Sequence, residues 1–164
     1  MKKLLFTVLC AFALSTISFR INAQAIEGHD YKSAIGGRFG VANGITFKTF
    51  LQDQNAIDVI LNFRSNNKYS TFKFVGLYEI HNPIDSAPGL RWYYGGGAGI
   101  GTYKNKVTDN SGAAFSIDGA LGLDYKIDGA PIDLSLDWKP EIRFAPDNTG
   151  VDFAGFGLSI RFAF

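Results

Sequence analysis

Few residues in this chain could do chemistry, and they are scattered. Its 164 residues hold one cysteine, Cys10, and two histidines, His29 and His81. A serine, a histidine and a carboxylate held together would make a nucleophile with its general base, and His81 is followed closely by Asp85 and Ser86. Two histidines and one thiol fall short of a zinc centre, so neither a metal nor a cofactor is expected. The run Gly95-Gly96-Gly97-Ala98-Gly99-Ile100-Gly101 invites comparison with a phosphate-binding loop, but it lacks the G-x-G-x-x-G spacing and no helical pattern follows it. Asp133, Asp137 and Glu141 could be paired carboxylates for acid–base work. Lys139 and Arg143 share their side of the chain, however, and that interleaving of signs suits ion pairing better.

The elements that must position these groups begin after a leader. Met1-Lys2-Lys3, the apolar run Leu4 to Phe19 and the small-x-small pattern Ala23-Gln24-Ala25 read as a secretory signal peptide, cut after Ala25 or Ala23. The run is shorter than the roughly 20 residues of a membrane-spanning helix. Lipid attachment at Cys10 is disfavoured, because Leu9 is bulky and cleavage there would split the run. Residues 1–25 are thus expected to leave and residues 26–164 to fold as one domain without a thiol. Losing Lys2, Lys3 and Arg20 takes the net charge from +1 to −2. Such a chain has no basic field, and nucleic acid is excluded as a default partner.

With 15% aromatic residues and 19 glycines, the chain is too aromatic for a disordered polymer and too rich in glycine for a helical bundle. What recurs instead is period two. From Ile132 to Phe144 every even position is apolar and every odd one polar or charged, apart from Pro140 at an even position. The last segment places Ala154, Phe156, Leu158, Ile160, Phe162 and Phe164 on one side. Similar splits separate Phe115, Ile117, Leu121, Leu123 and Tyr125 from Ser116, Asp118 and Asp124, and Trp92 and Tyr94 from Arg91 and Tyr93. Phe72, Phe74, Tyr78 and Ile80 oppose Lys73, Glu79 and His81, and Ile57, Val59, Leu61 and Phe63 oppose Asp58, Asn62 and Arg64. Two weaker segments, 34–41 and 44–51, set Ile35, Phe39, Ile45 and Phe47 against Arg38 and Lys48. Phe50 and Ile60 break the pattern, each apolar on a polar side. Turn chemistry separates all eight segments, which predicts an all-β, eight-stranded antiparallel up-and-down barrel.

Alternation alone leaves open which face is inside. The polar face carries nine bases (Arg38, Lys48, Arg64, Lys73, Arg91, Lys126, Lys139, Arg143, Arg161) and seven acids (Asp58, Glu79, Asp118, Asp124, Asp133, Asp137, Glu141). So balanced a set can pair within a narrow lumen, and glycines on that same face (95, 97, 99, 101, 155 and 157) relieve crowding there. The apolar face is bulky on every strand, as a lipid-facing belt requires. A transmembrane barrel follows, with an ion-pair network of Arg38, Asp58, Arg64, Glu79, Arg91, Asp118, Asp124, Asp133, Asp137, Lys139, Glu141, Arg143 and Arg161 filling its lumen. If the first strand runs outward, Tyr78, Trp92, Tyr94 and Tyr125, with Phe162 and Phe164, form an aromatic girdle at the periplasmic rim. Pro140 lacks the N–H a closed wall needs, so a bulge or a position above the membrane is expected there.

With its signal peptide, its closing strand Arg161-Phe162-Ala163-Phe164 and phrases such as Trp92-Tyr93-Tyr94-Gly95-Gly96-Gly97, the mature chain resembles small outer membrane β-barrels of Gram-negative bacteria. It is most similar to the families of outer membrane protein X and the outer membrane protein A transmembrane domain. That resemblance implies an outer membrane address and export by the general secretory route. It also implies a terminal strand, carried by Ile160, Phe162 and Phe164, that the barrel assembly machinery reads. Outer membrane lipids are the implied surroundings, a monomer the expected state, and the partner of the loops is unnamed.

Some barrels of this size act on lipid A acyl chains, but the strand directions set His81, Asp85 and Ser86 at a periplasmic turn, on the wrong side for that chemistry, and no enzyme is expected. The function read from the sequence is an envelope structural or loop-display barrel with a plugged lumen. Two alternatives stand beside it: a soluble lipocalin-like barrel with inverted faces, holding Trp92, Leu134 and Phe156 inside, and a narrow ion channel.

Overall fold

Strands and the turns between them account for all of the regular structure in residues 31–145 and 149–164, the parts that the computed structural model describes. The expected leader, His29 and residues 146–148 lie outside the described residues. In chain order the strands are β1 (Ser33–Gly40), β2 (Asn43–Gln52), β3 (Asn55–Ser65), β4 (Tyr69–Pro83), β5 (Leu90–Asn105), β6 (Ser111–Lys126), β7 (Ile132–Trp138), β8 (Glu141–Phe144), β9 (Gly150–Asp152) and β10 (Phe156–Ala163). Every pairing is antiparallel. Both β7 and β8 pair with β6 and form the lower and upper halves of the seventh wall strand. In the same way β10 and β9 form the eighth, paired with β7 and β8.

The ring closes between β1 and β10, from Ala34 opposite Ala163 to Gly40 opposite Gly157. At the seam Ser33 N–H donates to Phe164 O and Phe164 N–H to Ser33 O, both at 2.8 Å, so the last residue is laced into the first strand. The result is a closed, eight-stranded antiparallel barrel. Closure pairs the long strands on both sides and, among the described residues, leaves an open edge on the short β9 at the mouth.

Pro140 interrupts the seventh strand without shifting its register on β6, because Leu121 pairs with Trp138 and Asp118 with Glu141. Gly119 N–H still donates to Pro140 O at 2.8 Å, and what proline removes is the reciprocal bond. The irregularity falls instead on the facing strand. Trp138 pairs with Phe156 and Glu141 with Asp152, three steps against four, so one extra residue bulges between Asp152 and Phe156. Trp138 Nε1 holds that bulge by donating to Phe153 O at 2.7 Å.

Side chains alternate across the wall as period two requires. Arg161 is 1% exposed while its neighbour Phe162 is 56% exposed. Phe50 and Ile60 point inward, which explains their apparent misplacement. Phe50 packs edge-on against Tyr31 and His81 with ring centroids 5.3 and 5.0 Å away. Ile60 joins Val75, Leu77, Tyr93 and Ala120 in an apolar layer inside the barrel.

The lumen-side glycines serve two different needs. At Gly157 a Cβ would overlap the Arg38 guanidinium, so the space it leaves is filled by a side chain. At Gly97 a Cβ would instead overlap the Gly76 carbonyl oxygen, so the obstacle is the neighbouring backbone. Replacing Gly157 with Val is expected to overpack the lumen and destabilise the barrel by about 1–3 kcal/mol. Urea titration of the purified protein in detergent reads that loss, and an unchanged midpoint would contradict it.

Candidate functional site

The charged side chains of the inner face converge on the barrel axis in three tiers. At the end that holds the chain termini, Lys48 Nζ lies 3.0 Å from Glu79 Oε2 and 3.1 Å from Asp124 Oδ2, and 4.3 Å above the centre of the Tyr93 ring. Tyr31 donates to Asp124 Oδ1 at 3.3 Å, and the Arg91 guanidinium sits over the rings of Phe50 and Tyr31. His81 meets Glu79 Oε2 through Nε2 at 3.0 Å and stacks on Tyr93 with centroids 4.7 Å apart.

The next tier is tied by Arg161 of β10, whose guanidinium reaches three other strands. It contacts Asp58 of β3 at 3.0 Å, and Asp133 and Ser135 of β7 at 3.1 and 2.7 Å. Nε donates to Thr46 Oγ1 of β2 at 3.1 Å, and the Thr46 hydroxyl donates to Asp58 Oδ1 at 2.6 Å. Beside it Arg38 grips Asp137 with both terminal nitrogens, Nη2 to Oδ1 at 2.6 Å, and Tyr93 Oη donates to the same carboxylate at 3.2 Å. Paired, fork-shaped contacts of this kind are the strong form of ion pair.

The third tier lines the opposite mouth. Lys139 Nζ lies 2.6 Å from Asp118 Oδ1, and Lys73 pairs with Glu141. Arg64 Nη1 donates to Asp152 Oδ2 at 2.7 Å, joining β3 to β9 across the opening. Partial burial works against the Asp152 carboxylate. Hydrogen bonds from Arg64 and from the Ala154 amide, with the attraction of Arg64 and Arg143, nevertheless hold its carboxyl below the usual range. Asp152 stands beyond the last stretch of about 11 residues, the length a tilted strand needs to cross a bilayer.

All thirteen residues of the expected network point inward, and Lys48 and Lys73 of the same face join them. Lys126 does not: its Nζ donates to the carbonyls of Ile127 and Ala130 in its own turn. Tyr93, Tyr31, Thr46, Ser116 and Ser135 complete the network as hydroxyl partners. The inward parity of Tyr93, Thr46, Ser116 and Ser135 was readable in the sequence, whereas Tyr31 precedes the first strand and carried no such signal, and nothing said which carboxylate each would meet. His81 lies fully inside against Glu79, whereas Asp85 and Ser86 are exposed in the following turn, so the three do not form a catalytic group. Outside, Tyr78, Trp92, Tyr94 and Tyr125 are 41–48% exposed except Trp92 at 40%, all toward the end that holds the termini. Trp92 stacks on Tyr94 at 5.5 Å. Ile160, Phe162 and Phe164 share the outer face of the closing strand beside β1.

No protein-family model matches the chain, and no curated protein sequence does. Solved structures resemble it, among them two small barrels. The N-terminal β-barrel domain of Pseudomonas aeruginosa OprF aligns with a TM-score of 0.61 at 15% identity, over 80% of this chain and 95% of that one. Neisserial surface protein A (NspA) aligns with a TM-score of 0.52 at 9% identity, over 80% and 93%. The chain therefore has the fold of the small eight-stranded outer membrane barrels.

Two outcomes are expected. Arg161→Met strands Asp58 and Asp133 without their cation and should cost about 3–5 kcal/mol in urea titration. Neutralising both acids as well, with Asp58→Asn and Asp133→Asn, should recover part of it. As pH falls, the Arg64–Asp152 clasp should persist through the ordinary carboxylate range and open only through the lowered value, because a depressed pKa stabilises the fold above it. Exchange of the Ala154 amide followed against pH reads this, and an onset near pH 6 would contradict it.

Proposed function

We propose that the protein is an integral outer membrane β-barrel that acts as an envelope structural element and displays its loops outside the cell. One observation carries the reading: charge is inside and apolar surface is outside. Lys48 and Arg161 are essentially fully buried, while Phe156, Leu136 and Ile117 are 60%, 56% and 57% exposed. In water so continuous an apolar wall would be an association hazard. In lipid it is what a barrel needs, and the aromatic side chains near the terminus end supply the interfacial girdle. The fold shared with the OprF barrel domain and NspA agrees with this address.

The three tiers of ion pairs support a lumen that does not pass solutes, because moving an ion along the axis would require breaking buried pairs. The loops at the mouth end are short, with only Val41 and Ala42 between β1 and β2 and 66–68 between β3 and β4, which favours a structural role over a long-loop adhesin. Lipid and the assembly machinery are the partners, the latter reading Ile160, Phe162 and Phe164. A closed ring whose one open edge is the three-residue β9 suits a monomer. A lipocalin-like barrel would need Trp92 and Phe156 inside, and both face outward here.

Cell fractionation with gel electrophoresis in SDS, with and without boiling, tests the reading. Recovery in the outer membrane with a boiling-dependent shift is expected, and a soluble periplasmic protein without a shift would overturn it. In lipid vesicles Leu136→Arg should cost about 2–4 kcal/mol, the charge being placed toward the middle of the wall. Planar bilayers should show no conductance. Steps that change with Arg38→Ala or Asp137→Ala would establish the channel instead.

A further inference from the structure

The mouth of the barrel opposite the chain termini holds a pocket lined by Arg38, Arg64, Lys73, Lys139 and Arg143 but by only two carboxylates, Glu141 and Asp152. Two more acids stand just beneath it, Asp137 on Arg38 and Asp118 on Lys139. Five cations thus face four carboxylates among the described residues. The surplus can be located. Glu141 is engaged by Lys73 and Asp152 by Arg64, whereas Arg143 reaches the same two acids only at 3.5 and 3.9 Å. A guanidinium presents five donors in a rigid fork, and the buried Arg143 Nε has no hydrogen-bond partner in the structure. Its side chain is 14% exposed, so bulk water does not fully replace the missing acid.

A second unmet group lines the same pocket. Asn62 is 3% exposed, and its Oδ1 is buried without a partner. It lies on β3 opposite Lys73 of β4, two residues before Arg64. Buried polar groups are nearly always satisfied, and an under-neutralised arginine and an unsatisfied amide in one pocket are costly unless something binds there. An amide oxygen and an arginine fork lining one pocket suit a group that accepts from Arg143 and donates a proton to Asn62 Oδ1, as a singly protonated phosphate can.

We propose that this pocket is a binding site for a small phosphate-type oxyanion arriving from the medium outside the barrel, with Arg143 as its main charge partner and Asn62 as its orienting one. Access from the exterior rests on the orientation given under Proposed function, whereas binding itself does not. The occupant either enters along the barrel axis as a free anion or is the phosphate of a lipid headgroup. The pocket opens among inward-facing residues, and the free anion is the source assigned.

The test is calorimetric titration of inorganic phosphate into the purified full barrel in octyl glucoside, a phosphate-free detergent. Saturable binding of one phosphate per barrel is expected, at least tenfold weaker in Arg143→Gln and in Asn62→Ala, with the boiling-dependent mobility shift intact in both. Absence of saturable binding to the wild type, or equal affinity in both variants, would overturn the site. The mobility shift reads the barrel separately, so a wild type that shows the shift but binds no phosphate refutes this pocket and leaves the membrane reading standing. Competition by short-chain phosphatidic acid distinguishes the sources: no displacement of phosphate is expected, and displacement would overturn the assignment to a free anion.

Discussion

An eight-stranded barrel encloses only enough room for its own side chains, and a charge placed there is removed from bulk water. Each must therefore meet an opposite charge across the axis, and that requirement orders the rest of this molecule. Arg161 shows how strictly. From β10 it engages Thr46 on β2, Asp58 on β3 and Asp133 with Ser135 on β7, so four wall strands are held at one level by a single guanidinium. A register slip of one residue in any of these strands would turn its partner outward. The ion pairs thus specify the register of the closed ring, while the backbone ladder supplies its continuity.

Filling the inside with polar groups reverses the usual division of labour between core and surface. Internal apolar packing is reduced to small layers, such as Ile60, Val75, Leu77, Tyr93 and Ala120, wedged among the charges. The bulky apolar side chains are left to the outer wall, where they gain nothing from water and everything from lipid. Crowding inside also accounts for the small residues there: Gly157 exists beside Arg38 because any side chain would displace the guanidinium from Asp137.

Much of this was legible in the chain, because period two sorts residues by face without any tertiary information. The eight wall strands and the sorting of charges such as Arg161 and Asp133 onto one face and the girdle side chains onto the other follow from alternation, and the balanced charges and glycines of the polar face mark it as the inner one. Three features were not. The inner apolar layer escaped because Phe50 and Ile60 read as exceptions, although Ile60 lies directly opposite Val75 and the pair carried a signal of apolar residues at inward parity on adjacent strands. Pro140 pointed to an irregularity, but its place on the facing strand depends on the register between β8 and β9, which one-dimensional pattern does not encode. Pairing partners such as Thr46 with Asp58 likewise depend on which strands face each other across the lumen. His81, set by alternation on the same face as Glu79, is that residue's buried partner.

The mouth differs from the lower tiers in balance. There the pairs are close to matched, whereas at the opening Arg143 is left with two distant shares of carboxylates held by other cations. Both conditions depend on the same inside-outside assignment, and spin labelling along β10 tests it most directly. Single cysteines bearing nitroxides at positions 156 to 163, in barrels reconstituted into lipid vesicles, report collision with oxygen and with a water-soluble nickel chelate. An outward-apolar barrel predicts period two, with 156, 158, 160 and 162 accessible to oxygen but not to nickel and the odd positions shielded from both. Even positions shielded from oxygen, or open to nickel along their whole length, would contradict it.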